Sequence, residues 1–370
     1  MSNIIARRAW LRQSSLALAG LTVAGRLAAS GNDHQKRFMP PGPIRLTSNE
    51  NPYGPSPMAR KAMADAITAS NRYPWDQTTQ LRERIAKVYD LTSEHVLMGA
   101  GSSEILGLVA QYLAPGKGNA ITAAPAFPTC VRQAEKFGME IIRVPLTRDK
   151  KHDLPAMMSK MNSNTRLVYV CNPNNPTGTT LPSADVKSFV EEVSKKCMVL
   201  LDEAYIEYCD EPTLTPLVAN NKNIIVAKTF SKIYGMAGAR IGYALAHPDT
   251  IDNIGNLQPW QNAGASAVSV AGAMASLDDK DFLRSAKEMT RKANEYTMSE
   301  LKALGLECIP SSTNFIYYSL GSYSGNWQEQ MRARNILIGG VNEDTGKWAR
   351  TTIGTMQEMQ AFIAAAKQIL

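Results

Sequence analysis

Thr229-Phe230-Ser231-Lys232, followed eight residues later by Arg240 within Gly238-Ala239-Arg240-Ile241-Gly242, is the stretch that decides how this chain reads. The lysine sits among hydroxyls and small residues, and a second fixed cation follows a short distance on. That arrangement suits a buried amine held beside a bound phosphate, the chemistry of a Schiff-base enzyme. A lone lysine in a turn is far more often a solvated surface charge, so the reading rests on what the rest of the chain supplies.

The supporting parts lie upstream. Met198-Val199-Leu200-Leu201 has the unbroken apolar character of a strand buried on both faces, and it ends in Asp202-Glu203-Ala204-Tyr205. Catalytic groups belong at such carboxyl ends, and a carboxylate there can keep a ring nitrogen protonated. Asp202 also reads as a helix N-cap. Leu167-Val168-Tyr169-Val170-Cys171 is a second buried strand running into Asn172-Pro173-Asn174-Asn175-Pro176-Thr177-Gly178, a rigid turn by its prolines and glycine. Val96-Leu97-Met98 leads into Gly99-Ala100-Gly101-Ser102-Ser103-Glu104 and an apolar helical pattern. A glycine turn opening a helix presents free N–H groups and the positive end of the helix dipole to a phosphate. This one lacks both the lysine of a P-loop and the spacing of a dinucleotide fingerprint. Ala123-Ala124-Pro125-Ala126-Phe127-Pro128 ends a further strand, and an isolated Phe such as Phe127 is usually core.

In this order the motifs resemble those of fold-type I aminotransferases of class I/II, which use pyridoxal 5′-phosphate (PLP), and among them the histidinol-phosphate aminotransferases. Thr47-Ser48-Asn49-Glu50-Asn51-Pro52-Tyr53-Gly54-Pro55-Ser56-Pro57, Arg72-Tyr73-Pro74 and Trp348-Ala349-Arg350-Thr351-Thr352-Ile353-Gly354 extend the resemblance, which runs from about residue 40 to the C-terminus. It implies that Lys232 carries the cofactor as a Schiff base and acts as general base and acid. It further implies that Asp202 holds the ring nitrogen protonated, Asn175 and Tyr205 bind the phenolic oxygen, and Phe127 stacks on the ring. Ser102, Ser103, Thr229, Ser231 and Arg240 would bind the phosphate, joined by Tyr73 from the partner chain of a homodimer with shared sites. Arg350, with Asn49 and Asn175, would bind substrate; an arginine fork meets a carboxylate bidentately.

The expected architecture is α/β. A large domain (71–280) would hold a mostly parallel seven-stranded sheet between helices, and a smaller α+β domain (281–370) would follow, with an N-terminal segment (31–70) packing against it and the dimer interface. A connecting helix is expected over 281–304, strands over 306–309, 314–318, 337–341 and 350–353, and a closing helix over 357–369.

Residues 1–30 read separately. Ala6-Arg7-Arg8-Ala9-Trp10-Leu11-Arg12 resembles the twin-arginine export motif, and residues 14–25 supply an apolar segment too short to span a bilayer. Export to the periplasm is expected, with a basic N-terminal extension on a cytoplasmic protein as the alternative. The formal charge of +7 falls to +3 without Arg7, Arg8, Arg12 and Arg26, so neither nucleic acid nor stable membrane association need be invoked. Five scattered cysteines and four histidines offer no metal spacing.

The activity implied by the resemblance is transfer of an amino group between an amino acid, or an amino alcohol phosphate such as histidinol phosphate, and a 2-oxo acid such as 2-oxoglutarate, with ping-pong kinetics. A C–S β-lyase on the same scaffold and a non-catalytic PLP-binding protein are the alternatives.

Overall fold

The structure, a computed structural model, describes residues 42–342 and 347–370. Ile44–Leu370 forms one compact unit. The residues of the expected export signal, Arg7 and Arg8 among them, lie outside the described residues.

After β1 (Ile44–Leu46) come the strands of the main sheet: β2 (Val96–Gly99), β3 (Asn119–Ala124), β4 (Glu140–Pro145), β5 (Thr165–Cys171), β6 (Met198–Asp202), β7 (Ile224–Thr229) and β8 (Gly242–Ala246). They lie in the order β2-β8-β7-β6-β5-β3-β4. Every pairing is parallel except the two made by β8, which runs antiparallel to β2 and β7. The central strands bury both faces. Val168, Val170, Val199, Leu201 and Val226 enter one apolar cluster. Their neighbours Leu167, Tyr169, Leu200, Ile225 and Ala227 enter another. This is the alternation of a strand between two helical layers, and it explains the continuous apolar runs in the sequence.

The parallel arrangement sends the carboxyl ends of β5, β6 and β7 to one edge of the sheet. The reversed β8 brings its first residues, and Arg240 just before them, to the same edge, where β2 also ends. Chain direction therefore converges five separate motifs on one place.

The long helix Lys280–Ala303, capped by Asp279 through Phe282 N, leads to β9 (Cys308–Ile309), β10 (Phe315–Ser319), β11 (Ile336–Ile338), β12 (Val341–Asn342) and β13 (Trp348–Thr352). The second sheet runs β12-β13-β10-β9, while β11 pairs in parallel with β1. The helix Met356–Ile369 closes the chain and starts on a capping box of Thr355 and Glu358. Both helices begin one residue before the expected positions. The expected strand over 337–341 is instead two strands, since Gly339-Gly340 interrupts it and each half pairs with a different partner. A Cβ on Gly339 would stand 2.6 Å from Arg350 O, so the chain passes β13 too closely for a side chain.

Candidate active site

At the convergent edge lies a cavity of about 380 Å³. Asn49, Ser102, Ser103, Phe127, Asn175, Asp202, Tyr205, Thr229, Ser231, Lys232, Arg240 and Arg350 all line it. Tyr73 does not. It lies on the surface, 68% exposed, with its ring 5.3 Å from Trp75 and 5.5 Å from Trp260.

One end of the cavity is built for an anion. Gly101, at φ +84°, turns the chain into the helix Ser102–Leu113, whose first turn has no side-chain cap. Glu104 N donates to Gly101 O at 3.2 Å, which leaves the N–H groups of Ser102 and Ser103 for a ligand. Arg240 adopts a left-handed φ of +53°, rare for a side chain of this size. Its Nη1 donates to Ala237 O and its Nη2 to Ala100 O, each at 3.0 Å. At the left-handed φ of Gly101 glycine is favoured, and a Cβ there would press on the Arg240 guanidinium. Glu104 holds the loop from behind: it accepts from Ala100 N and from Gln258 Nε2, the latter at 2.9 Å. Thr229 Oγ1 donates to Ser231 Oγ at 2.9 Å and accepts from Ser231 N at 3.0 Å, setting both hydroxyls beside Lys232.

The other wall holds the acid and the amine. Asp202, 2% exposed, accepts from Tyr169 Oη at 2.9 Å and from Ala204 N at 3.2 Å. Burial pushes its carboxyl up to about 6, against these two hydrogen bonds and the nearby Lys232 charge. Lys232 Nζ donates to Ser48 O at 3.3 Å and Asn49 O at 3.4 Å. Burial and then the Arg350 charge bring its amine down to about 8. Tyr205 Oη accepts from Asn49 Nδ2 at 2.9 Å and from Asn175 Nδ2 at 3.4 Å, and burial holds its phenol well above the ordinary value.

Arg350, also lining the cavity, donates from Nη1 to Asn175 Oδ1 and from Nη2 to Thr47 O, each at 2.7 Å. Among the described residues its buried Nε has no partner and Arg350 forms no ion pair. Glu50, also on the wall, pairs with Arg45 at 3.0 Å.

Sequence reasoning missed Cys171 on the cavity wall and Tyr169 behind Asp202. Both sit inside an apolar strand and read there as core. It also passed over Glu104 as a loop anchor, although the motif containing it was recognised.

The donor set fits PLP. Hydroxyls, a helix N-terminus and Arg240 match a phosphate; buried Asp202 matches a basic ring nitrogen, and Lys232 has an amine that burial keeps readily deprotonated. Comparison with known proteins agrees. Residues 41–365 match the aminotransferase class I and II family. The chain is 38% identical over 333 residues to histidinol-phosphate aminotransferase 1 of Dechloromonas aromatica (strain RCB), covering 88% of this chain and 90% of the relative. It is 33% identical over 331 residues to the histidinol-phosphate aminotransferase of Bacillus subtilis (strain 168), covering 88% and 91%. Among solved structures it resembles that of histidinol-phosphate aminotransferase from Sinorhizobium meliloti in complex with pyridoxal-5′-phosphate, at 26% identity and TM-score 0.80, over 92% of this chain and 94% of the other.

Proposed function

The chain belongs to the class I and II aminotransferase family and is a PLP-dependent aminotransferase, and from that premise we propose that it takes its amino group from an anionic donor, an imidazole-bearing amino alcohol phosphate, and passes it to a dicarboxylic 2-oxo acid. The observation that carries this reading is Arg350, which lines the cavity with no ion pair among the described residues while its two terminal nitrogens are anchored to Asn175 and Thr47. A guanidinium so anchored presents a fixed face to an anion. With Lys232 and Arg240 it makes three cations on a wall whose acids are Asp202 and Glu50, the latter already paired. The names of the relatives, histidinol-phosphate aminotransferases, support the donor.

PLP, when bound, supplies a carbonyl that receives the amino group and a ring that withdraws electrons from the carbon being deprotonated. Ser102, Ser103, Thr229, Ser231 and Arg240 would hold its phosphate at the head of the helix Ser102–Leu113. Asp202 would keep its ring nitrogen protonated, Asn175 and Tyr205 would bind its phenolic oxygen, and Phe127 would supply an aromatic face for its ring. Lys232 would hold it covalently through its amine and would move a proton at the substrate's Cα, as a base that burial keeps available near neutral pH. Asn49 steadies Tyr205 and helps bound substrate settle beside Arg350.

A panel of amino donors tests the substrate. The anionic donor should give the highest kcat/KM, and Arg350→Lys should raise its KM roughly ten- to hundredfold. A panel led by uncharged donors and indifferent to Arg350 would reject this reading.

We further infer a homodimer with shared sites. Tyr73, Trp75 and Trp260 form an exposed cluster of three rings, the kind of patch that association covers. Export is proposed from Arg7-Arg8 and the apolar stretch after them. Replacing both arginines by lysine should retain active protein in the cytoplasm, whereas wild-type protein found only there with residues 1–30 attached would reject export.

A further inference from the structure

Tyr169 is fully buried on β5. The parallel register sets Tyr169 beside Leu200 and Cys171 beside Asp202, so Tyr169 and Asp202 are diagonal neighbours on one face of the sheet. Its hydroxyl donates to Asp202 Oδ2 at 2.9 Å, while Oδ1 accepts from Ala204 N at 3.2 Å. Tyr169 does not line the cavity, whereas Asp202 does. We propose that Tyr169 is a positioning residue for the cofactor, acting on the ring nitrogen solely through Asp202.

The chemistry runs in one direction. Burial and the adjacent Asp202 carboxylate hold the Tyr169 phenol well above its ordinary value, so it stays a donor throughout the working range. A permanent donor at Oδ2 favours the ionised form of Asp202, which burial alone opposes. Together with Ala204 N it occupies one acceptor direction on each carboxylate oxygen and fixes the rotation of the group. The remaining lone pairs are left for a ligand in the cavity. The side chain thus sets both the charge and the aim of Asp202 without touching what binds there. This rests on the reading of Asp202 as the partner of the ring nitrogen.

Tyr169→Phe removes one oxygen and keeps the ring that packs against Leu200 and the neighbouring core. The test compares wild type, Tyr169→Phe, Asp202→Ala and the double variant as holoenzymes. Each is diluted to measure the cofactor's dissociation constant and titrated to find the pH at which the bound chromophore's absorbance changes. Tyr169→Phe should weaken cofactor binding roughly ten- to hundredfold and displace the absorbance transition. In the Asp202→Ala background it should cause no further loss, because the group it acts through is gone. If Asp202→Ala weakens binding while Tyr169→Phe leaves affinity and absorbance unchanged, or if the two losses simply add, Tyr169 is a packing residue and the proposal fails. If Asp202→Ala itself changes neither quantity, the assignment of Asp202 fails and takes this proposal with it.

Discussion

Asn49 Nδ2 donates to Tyr205 Oη at 2.9 Å, so a residue near the start of the compact unit holds a side chain that follows the β6 strand end. Asn49 is 1% exposed and sits at φ +55°, a left-handed conformation that asparagine tolerates better than most residues. Thr352 Oγ1 donates to its Oδ1 at 3.2 Å, and Asn314 Nδ2 donates to its carbonyl at 3.0 Å. Asn49→Ala should therefore cost about 2–3 kcal/mol, from the left-handed backbone and the buried groups left without partners. Asn49→Gly should recover only the backbone part. Denaturant unfolding measures both, and a loss below about 0.5 kcal/mol for the alanine variant would show that this junction is slack.

Lys232 predicts a pH dependence. Its amine is brought down from 10.5 to about 8 by burial first and by Arg350 second. The rate of covalent loading by PLP should rise through about pH 8 and then level off, because only the neutral amine attacks. Arg350→Met, which removes the neighbouring charge, should move that midpoint upward. The same displacement has a consequence for stability: between pH 8 and 10.5 the unfolded chain holds a proton here that the folded chain has lost. This group's contribution to stability therefore improves as pH rises across that window. Loading that keeps accelerating to pH 10 or beyond would contradict the buried amine.

Behind the site, on the opposite face of the sheet from Thr229, Lys228 Nζ lies 3.1 Å from Glu203 Oε2 and 3.3 Å from Glu207 Oε1. Burial alone would lower the lysine's affinity for its proton, but the two carboxylates outweigh it and hold the ammonium charged. Lys228→Met leaves buried Glu203 and partly buried Glu207 without their cation and should destabilise the protein by about 3 kcal/mol. Adding Glu207→Gln should restore part of that loss. Urea unfolding decides, and a cost under 1 kcal/mol for Lys228→Met would mean that the cluster is hydrated or rearranges freely.

Shared sites predict complementation. A Tyr73→Phe chain mixed with a Lys232→Ala chain should form heterodimers that carry one site with both Lys232 and the opposite Tyr73 intact. Activity above that of either parent supports the arrangement, and activity that never exceeds the sum of the parents speaks against it.

The features legible in the sequence are those where one strand end carries both an apolar run and a polar motif. β5 and β6 carry the apolar runs Leu167–Cys171 and Met198–Leu201 because both their faces are covered, and each delivers its motif at the carboxyl end. The second sheet was harder. Its strands are short, and the Gly339-Gly340 break sends two halves of one apolar segment to different partners, a pairing that local composition does not encode. Tyr169 and Lys228 were invisible for a different reason. A tyrosine or lysine inside a strand acquires its role only from residues at the end of the neighbouring strand, here Asp202 and, one residue past it, Glu203, and that juxtaposition exists only once register is known.

The most direct test of the central claim is a single half-reaction followed by absorbance. Holoenzyme given the imidazole-bearing amino alcohol phosphate alone should convert its cofactor once, in stoichiometric amount, to the amine form, and 2-oxoglutarate should then restore the starting spectrum while glutamate appears. Continuous release of ammonia from a donor with no 2-oxo acid present, or a cofactor spectrum that neither addition changes, would contradict it.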